Sequence, residues 1–423
     1  MEAAEKIIGR AAAFVWGPGL LLLVLLSGAF FTAASGFFPL RKIRFIAKST
    51  FGSLKNKSGG FAAMATALGA TAGTGNIVGV ASAVAVGGAG AVFWMWAGAL
   101  LGMMLKFAEA ALAVRHGGAM KYIEHAFGGR RAAVLWCGCC VLASFGTGNM
   151  VQTNAAAGIC RDAFGVSPLA VGALIGALAA AVLFRGARAV TKTASVLVPL
   201  MAALYIIGCT ALLFICRQRL PAAVASIFSE AFTPSAAGGG AAGLLTSKAL
   251  QIGIARGTFT NESGMGSASL AHAESSGTPA EQGCWGIVEV FLDTVVCCTL
   301  TALAILSADI SPLDENAAEV AFGKYFGGAG SAFLASSMFF FALAAVIGWA
   351  FYGEKALGYI TKSKKALIFY RTLFCVCAAA GAVLSLPAVW NLSDIFNGLM
   401  IFPNVAALLV LKSEILSTVK GAG

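Results

Sequence analysis

Charged residues in this chain fall in short clusters separated by apolar stretches, and the spacing of those clusters predicts the elements. A helix needs about 20 apolar residues to cross ~30 Å of hydrocarbon. Stretches of that kind can be read eleven times between the charges. Segment one covers 11–39. The 48 uncharged residues from Ser58 to Leu105 are long enough for segments two and three, folded at Gly87-Gly88-Ala89-Gly90. Segments four to eleven follow at 132–155, 166–185, 192–216, 241–272, 284–308, 329–358, 366–387 and 391–412. The predicted fold class is an all-α polytopic membrane protein with 11 transmembrane helices.

Two segments depart from a plain apolar helix. Segment seven carries Lys248, Arg256 and Glu262 together with the run Gly253-Ile254-Ala255-Arg256-Gly257, which lipid alone would not surround. Segment two carries Gly69-Ala70-Thr71-Ala72-Gly73-Thr74-Gly75-Asn76 in mid-span. Two glycine-interrupted segments five helices apart are the pattern of an inverted-repeat transporter, whose broken helices expose backbone N–H and C=O groups at the membrane midplane. Close helix packing is the competing use of glycine and accounts for most of the 52 present.

Composition agrees with a membrane location: 59% of the residues are hydrophobic and 11% charged, with a mean hydropathy of +0.86. The net charge of +11 reads as cytoplasmic loops, not as nucleic-acid binding, because of where it lies. Arg41, Lys42, Arg44, Lys48, Lys55 and Lys57 follow segment one without an acidic residue among them, so that loop is expected inside. Alternation then places Arg115 to Arg131, Arg185 with Arg188, Lys362 to Lys365 and the C-terminus inside. The acidic loop with Asp309, Asp314, Glu315 and Glu319 falls outside, as does the N-terminus. The stretch 11–40 is too long and continuously apolar for a cleaved signal peptide. The 11 cysteines sit mostly in apolar runs and read as small buried hydrophobes, not as a disulfide or metal framework.

The chemistry is concentrated in segment two, where Gly73, Thr74, Gly75 and Asn76 place flexible backbone beside a hydroxyl and a carboxamide. Amides around Thr74 and Gly75 suit a carboxylate, and the Asn76 side-chain oxygen suits a hard cation. Segment four repeats the string as Gly146-Thr147-Gly148-Asn149. There Phe145, Asn149 and Gln152 share one helical face, a stripe that interhelical hydrogen bonding would also explain. Lys106 and Glu109, three residues apart, are expected to pair with each other. Glu262, Asp293 and Asp394 lie near candidate cavities, and Lys192 either snorkels or reaches inward. His116, His125 and His272 form no ligand pattern. No nucleophile–base set, P-loop or metal-ligand spacing is present, so neither an enzyme nor an ATP-driven pump is expected, and no cofactor.

At these residues the chain resembles the alanine or glycine:cation symporter family over nearly its whole length. The likeness rests on Gly73-Thr74-Gly75-Asn76-Ile77-Val78-Gly79, Phe93-Trp94-Met95-Trp96, Lys106-Phe107-Ala108-Glu109 and Gly148-Asn149-Met150-Val151-Gln152. It continues in Arg256-Gly257-Thr258-Phe259-Thr260-Asn261-Glu262-Ser263-Gly264, Phe291-Leu292-Asp293-Thr294, Gly348-Trp349 and Asp394 through Asn397 to Asn404. The resemblance implies a five-plus-five inverted repeat of the leucine-transporter (APC superfamily) type. Its parts would be an extra helix in 1–40, repeats in 58–216 and 241–412, and a cytoplasmic tail in 413–423. It also implies symport, across the cell inner (plasma) membrane, of a small neutral amino acid such as alanine or glycine with Na+, or with H+.

Carried onto this sequence, the resemblance places the substrate carboxylate at Gly73, Thr74 and Gly75, with Asn76 beside substrate and cation. Phe145, Asn149 and Gln152 would line the third core helix, Gly257 and Thr258 would complete the site at a segment-seven break near Gly253 to Thr258, and Trp349 would close the pocket. Backbone carbonyls of Gly69 and Ala72 are the further sodium ligands expected. The chain departs from the family at Ala344 and Ala345, where hydroxyl residues are expected to touch sodium and substrate. This departure keeps proton coupling or uniport open, with Lys192 as a stand-in charge. A channel, or a membrane scaffold or receptor that does not transport, is the rival from another class, and it would not need mid-span breaks lined by Asn, Gln and Trp.

Overall fold

The computed structural model describes residues 2–53, 59–232, 247–311, 316–384 and 387–422. Lys55, Lys57, Asp314, Glu315 and the first six positions of segment seven lie outside the described residues. Among the described residues the structure is helical throughout, with eight helices long and apolar enough to cross a membrane. A ninth span is the bent pair Gly60–Thr71 and Gly75–Gly87, whose halves meet at 57°. The two remaining expected segments are the shorter helix Pro168–Leu183 and a seventh segment that runs as Lys248–Asn261, an irregular stretch, and Ser269–His272.

Local chemistry accounts for the joints. Segment one is two helices, Glu2–Val15 and Pro18–Ala34, because Pro18 has no N–H and holds Gly17 in extended backbone (ψ −178°). Phe37 then takes a left-handed conformation (φ 60°) and turns the chain into a short helix, Ile43–Thr50, beside the basic cluster. The predicted fold point at Gly87-Gly88 is observed, with Gly88 at φ +73°. It sits under an amphipathic helix, Leu220–Ala231, that the hydropathy pattern does not distinguish as an element. Ala89 N–H donates to Glu230 Oε2 at 2.8 Å, and Trp94 Nε1 donates to the Ala231 carbonyl at 3.1 Å.

Packing sorts the segments into two groups. Segment three (Gly90–His116) lies against segments seven and eight (Pro279–Ser307), and segment two packs on eight. Segment four (Arg130–Phe164) lies against nine (Gly328–Ile360), and five against ten (Lys364–Val383). Small residues permit this closeness: a Cβ at Gly286 would stand 2.9 Å from the Lys106 carbonyl. The approach of segment eight also redirects Lys106. Its ammonium pairs with Glu289 at 3.0 Å and not with Glu109, both partners being under 2% exposed. Glu109 instead accepts from Gly266 N–H at 3.0 Å and Asn404 Nδ2 at 2.7 Å. A lysine and a glutamate three apart can pair on a free helix; here each finds its partner on a neighbouring segment. Lys192 is exposed and does not reach the interior. All eleven cysteines are free thiols, nine of them buried.

Candidate substrate site between two broken helices

The helix of segment two ends at Thr71, and Ala72 is extended (φ −70°, ψ 98°). The chain resumes through a π-helical turn, Gly75–Gly79. Such breaks free backbone donors that must find partners away from water. Gly73 N–H donates to Asn76 Oδ1 at 3.0 Å, and Thr74 N–H donates to Gln152 Oε1 at 2.9 Å. Gln152 in turn donates from Nε2 to the Thr147 carbonyl at 3.0 Å, so its carboxamide bridges segments two and four. A Cβ at Gly73 would lie 2.5 Å from Gln152 Oε1, which is why this position has no side chain.

Asn76 is buried and fully bonded. Its Nδ2 donates to the carbonyl of Asp293 at 3.0 Å and to its Oδ1 at 2.9 Å, and its own carbonyl accepts from Thr301 at 2.7 Å. The chain of bonds continues from Asp293 Oδ2, which accepts from Thr294 (2.9 Å), to Thr294 Oγ1, which accepts from Asn261 Nδ2 (3.1 Å). Asn261 Oδ1 accepts from Ser263 N–H at 3.0 Å, inside the break of segment seven. The two interrupted helices are therefore joined through segment eight by continuous buried hydrogen bonds, an arrangement that holds them in register.

The break of segment seven lies later than the glycine run suggests. Gly253 and Gly257 are helical and face segment three: a Cβ at Gly253 would stand 2.7 Å from Trp94 Cβ, and one at Gly257 3.3 Å from Met95. They serve close packing. The helix stops at Asn261, and the left-handed residues are Glu262 (φ 54°), Gly264 (φ 90°) and Gly266 (φ 79°). A left-handed glutamate is unusual and is held here by its carboxylate, which accepts from the Ser267 hydroxyl.

Between the breaks is a closed cavity of about 20 Å³, bordered by Thr71, Gly75, Gln152, Thr260, Glu262 and Trp349, with Thr147 and Asn397 at its side. That volume holds about one water. Trp349 is 2% exposed and lies within reach of the Glu262 carboxylate. Gly148 lies directly beneath the indole, and any Cβ there would overlap it. Asn397 donates to Thr147 Oγ1 at 2.9 Å, while its Oδ1 is buried with no partner among the described residues.

Of the residues expected from sequence, Gly75, Gln152 and Trp349 border the cavity, while Gly73 and Thr74 lie outside its border against the Gln152 carboxamide. Phe145 and Asn149 do not join them: the Phe145 ring packs on Tyr370 and Phe374 at 5.3 and 5.5 Å, and Asn149 donates to the Phe374 carbonyl at 2.6 Å. The stripe splits because Gly146–Met150 is a π-helical turn, whose extra residue shifts the helical phase before Gln152. Thr258 is buried outside the cavity border, and Ala345 is fully buried away from it. Ala344 borders a separate void of about 10 Å³ with Thr66 and Thr193. The backbone of Gly69 is close by, its Cβ position 3.9 Å from the Ala344 carbonyl. Glu262, expected near a cavity, borders it, whereas Thr147, Thr260 and Asn397 are cavity residues that the sequence does not single out. Their motif strings were visible, but which side chain faces inward depends on the π turn and the left-handed stretch.

Two larger hollows lie on opposite sides. One of about 470 Å³ is bordered by Trp16, Arg256, Phe259 and Asp394, and Phe259 also borders the closed cavity. The other, about 650 Å³, is bordered by Lys121, Glu124, Arg130, Glu354 and Lys362. A closed polar cavity at two helix breaks, between opposed hollows, defines a secondary transporter. The sodium:alanine symporter family profile matches residues 1–421, and the chain belongs to that family. It is 36% identical to a sodium/alanine symporter, AgcS, of Methanococcus maripaludis, over 98% of this chain and 96% of that one. It is 34% identical to a probable sodium/glutamine symporter, GlnT, of Bacillus subtilis, over 99% and 91%. Its fold is similar to that of MhsT, solved in complex with L-phenylalanine. The TM-score is 0.60 at 16% identity, covering 87% of this chain and 98% of that one. The protein is a multi-pass, cation-coupled amino-acid symporter.

Proposed function

We propose that this protein imports a small neutral amino acid such as alanine or glycine together with sodium, through eleven transmembrane helices arranged as an extra helix in 1–40 and repeats in 58–216 and 241–412. The carrying observation is the closed cavity of about 20 Å³. It combines an unpartnered carboxamide oxygen on Asn397 with a tryptophan wall, and only the Gln152 carboxamide separates it from the Thr74 backbone donor. Gln152 Oε1 occupies the Thr74 amide, where a carboxylate oxygen would bind, so substrate entry displaces the Gln152 carboxamide. Asn397 Oδ1 suits the substrate ammonium. Counterflow in proteoliposomes with a panel of labelled amino acids, varying sodium and pH gradients separately, tests this; absence of exchange for every small neutral amino acid would refute it.

Selectivity for size rests on Trp349. Trp349→Ala opens the space above Gly148 and is expected to reduce alanine uptake and to let leucine compete, since a methylene in an apolar pocket discriminates by only about 10- to 200-fold. Unchanged alanine kinetics and continued exclusion of leucine would place the pocket elsewhere.

For the ion, sodium seeks hard oxygens, and each one absent at mid-membrane leaves a desolvation cost. Carbonyls of Gly69 and Ala72 remain, while Ala344 and Ala345 present methyls. Sodium half-saturation is expected at high concentration, and Ala344→Ser with Ala345→Thr is expected to lower it in flux assays. Because Ala344 and not Ala345 borders the void, the first change should carry most of the gain. Proton coupling is the second reading, favoured by those methyls; exposed Lys192 does not serve it.

Orientation is tested by labelling. With nine of the eleven native thiols buried, a cysteine introduced at exposed Asp309 should react with an impermeant maleimide from outside, and one at Lys420 only after permeabilisation. Arg219 (3.0 Å) and Lys324 (3.4 Å) beside Asp309 hold its carboxyl below the usual range, and the substitution also frees that corner. Labelling of position 309 from inside would overturn the eleven-helix arrangement.

A further inference from the structure

We propose that His116, His125 and Glu414 form a binding site for a divalent transition-metal cation, Zn2+ by ligand preference, which clamps the C-terminal helix to the end of segment three. The site owes nothing to the substrate cavity. Segment three ends at His116, and two left-handed glycines, Gly117 (φ 96°) and Gly118 (φ 98°), reverse the chain into the helix Ala119–Phe127. That reversal brings His125 back over His116, with ring centroids 4.6 Å apart and planes tilted by 31°. The helix Lys412–Gly421 then presents Glu414 to both rings. His116 Nε2 is 3.0 Å from Glu414 Oε2, and His125 Nε2 is 3.8 Å from Oε1, too far for a hydrogen bond.

The three ligand atoms lie within 4.8 Å of one another, so one point is within about 2.8 Å of all three. Zn–N and Zn–O bonds are about 2.0–2.2 Å, so the side chains would close by about 0.6–0.8 Å. His125 is free to do this, being 59% exposed. Two imidazoles with one carboxylate suit Zn2+, Ni2+ or Co2+, not Mg2+ or Ca2+. Water reaches the remaining coordination position, since Glu414 is 28% exposed. Arg115 orients the C-terminal helix from the side, donating to Thr418 at 2.8 Å and standing 4.0 Å from Glu414. An ion pair with Arg115 and His116 alone would satisfy Glu414 and would leave the second imidazole without a role.

The clamp has a transport consequence because the helix Ala119–Phe127 serves two sites. His125 faces the clamp, while Met120, Lys121 and Glu124 border the 650 Å³ hollow. A metal joining this helix to segment three and the C-terminal helix restrains one wall of that hollow. Bound metal is therefore expected to slow exchange.

The test uses the full chain, purified in detergent after chelator treatment and titrated calorimetrically with ZnCl2. One equivalent is expected to bind, with affinity at least tenfold weaker in H116N/H125N and weaker in E414Q. Zn2+ should raise the melting temperature of the unmodified protein and not that of the double variant. Equal melting temperatures without metal would show that the double variant is folded. No binding, or binding equal in all three proteins and so attributable to cysteine thiols, would overturn the site. In liposomes, Zn2+ on the C-terminal side should slow exchange at least twofold only when both histidines are present. Binding without such slowing would overturn the clamp. Calorimetry requires no substrate, so its outcome is independent of whether the transport reading stands.

Discussion

Lys106→Met is expected to lower stability by about 3–5 kcal/mol, because it leaves a carboxylate buried without its counter-ion. Lys106 and Glu289 meet at 3.0 Å between segments three and eight with essentially no solvent access. Around them stand His272, 3.5 Å from Glu289, and the buried carboxylates of Glu109, Glu262 and Asp293. Removing the ammonium takes away the single lysine of this acidic cluster. The protein should be depleted from the membrane fraction and melt earlier in detergent, as measured by intrinsic fluorescence on heating. Lys106→Met combined with Glu289→Leu should recover part of the loss, since exchanging a buried pair for apolar groups of similar volume is often near neutral. A melting temperature for Lys106→Met equal to that of the parent would show that the pair contributes nothing and that the cluster is neutral without it.

Asn76→Ala is expected to abolish uptake while the protein still reaches the membrane. The substitution removes the acceptor of Gly73 N–H and both donations to Asp293. Each buried polar group left unpaired costs about 1–3 kcal/mol, and here the groups are those that hold the segment-two break against segment eight. The loss is larger for function than for folding because helices on either side of the break keep their packing. Asn76→Asp is expected to be worse than alanine, since it sets a second carboxylate against Asp293. Initial rates of labelled alanine entry into liposomes, normalised to protein content, measure both. Uptake above about a tenth of the parent rate in Asn76→Ala would show that the Asn76–Asp293 connection is dispensable. In this role Asn76 acts through the backbone it positions, its side-chain oxygen accepting from Gly73 N–H.

Hydropathy and charge along the chain determined that it is a polytopic helical membrane protein, which segments are interrupted and where the chain folds back at Gly87-Gly88. These properties depend on lengths and on the cost of charge in hydrocarbon, which are local and additive. The string Gly73 to Asn76 likewise announced its break, because glycine beside polar side chains gains nothing in lipid. Tertiary structure alone decided which residues face one another. Lys106 pairs with Glu289 and not Glu109 because segment eight closes against segment three over Gly286. Asn149 and Gln152, neighbours on an ideal α-helix, face different segments because a π turn shifts the phase between them. Gly253 and Gly257 look like a break but are packing positions, whereas the break falls at Glu262, a residue no propensity would select for left-handed backbone. His116 and His125 form no spacing pattern, yet two glycines reverse the chain and bring both to a carboxylate nearly 300 residues away. Each of these depends on where a second segment lies, and that position is set by the packing of the whole bundle.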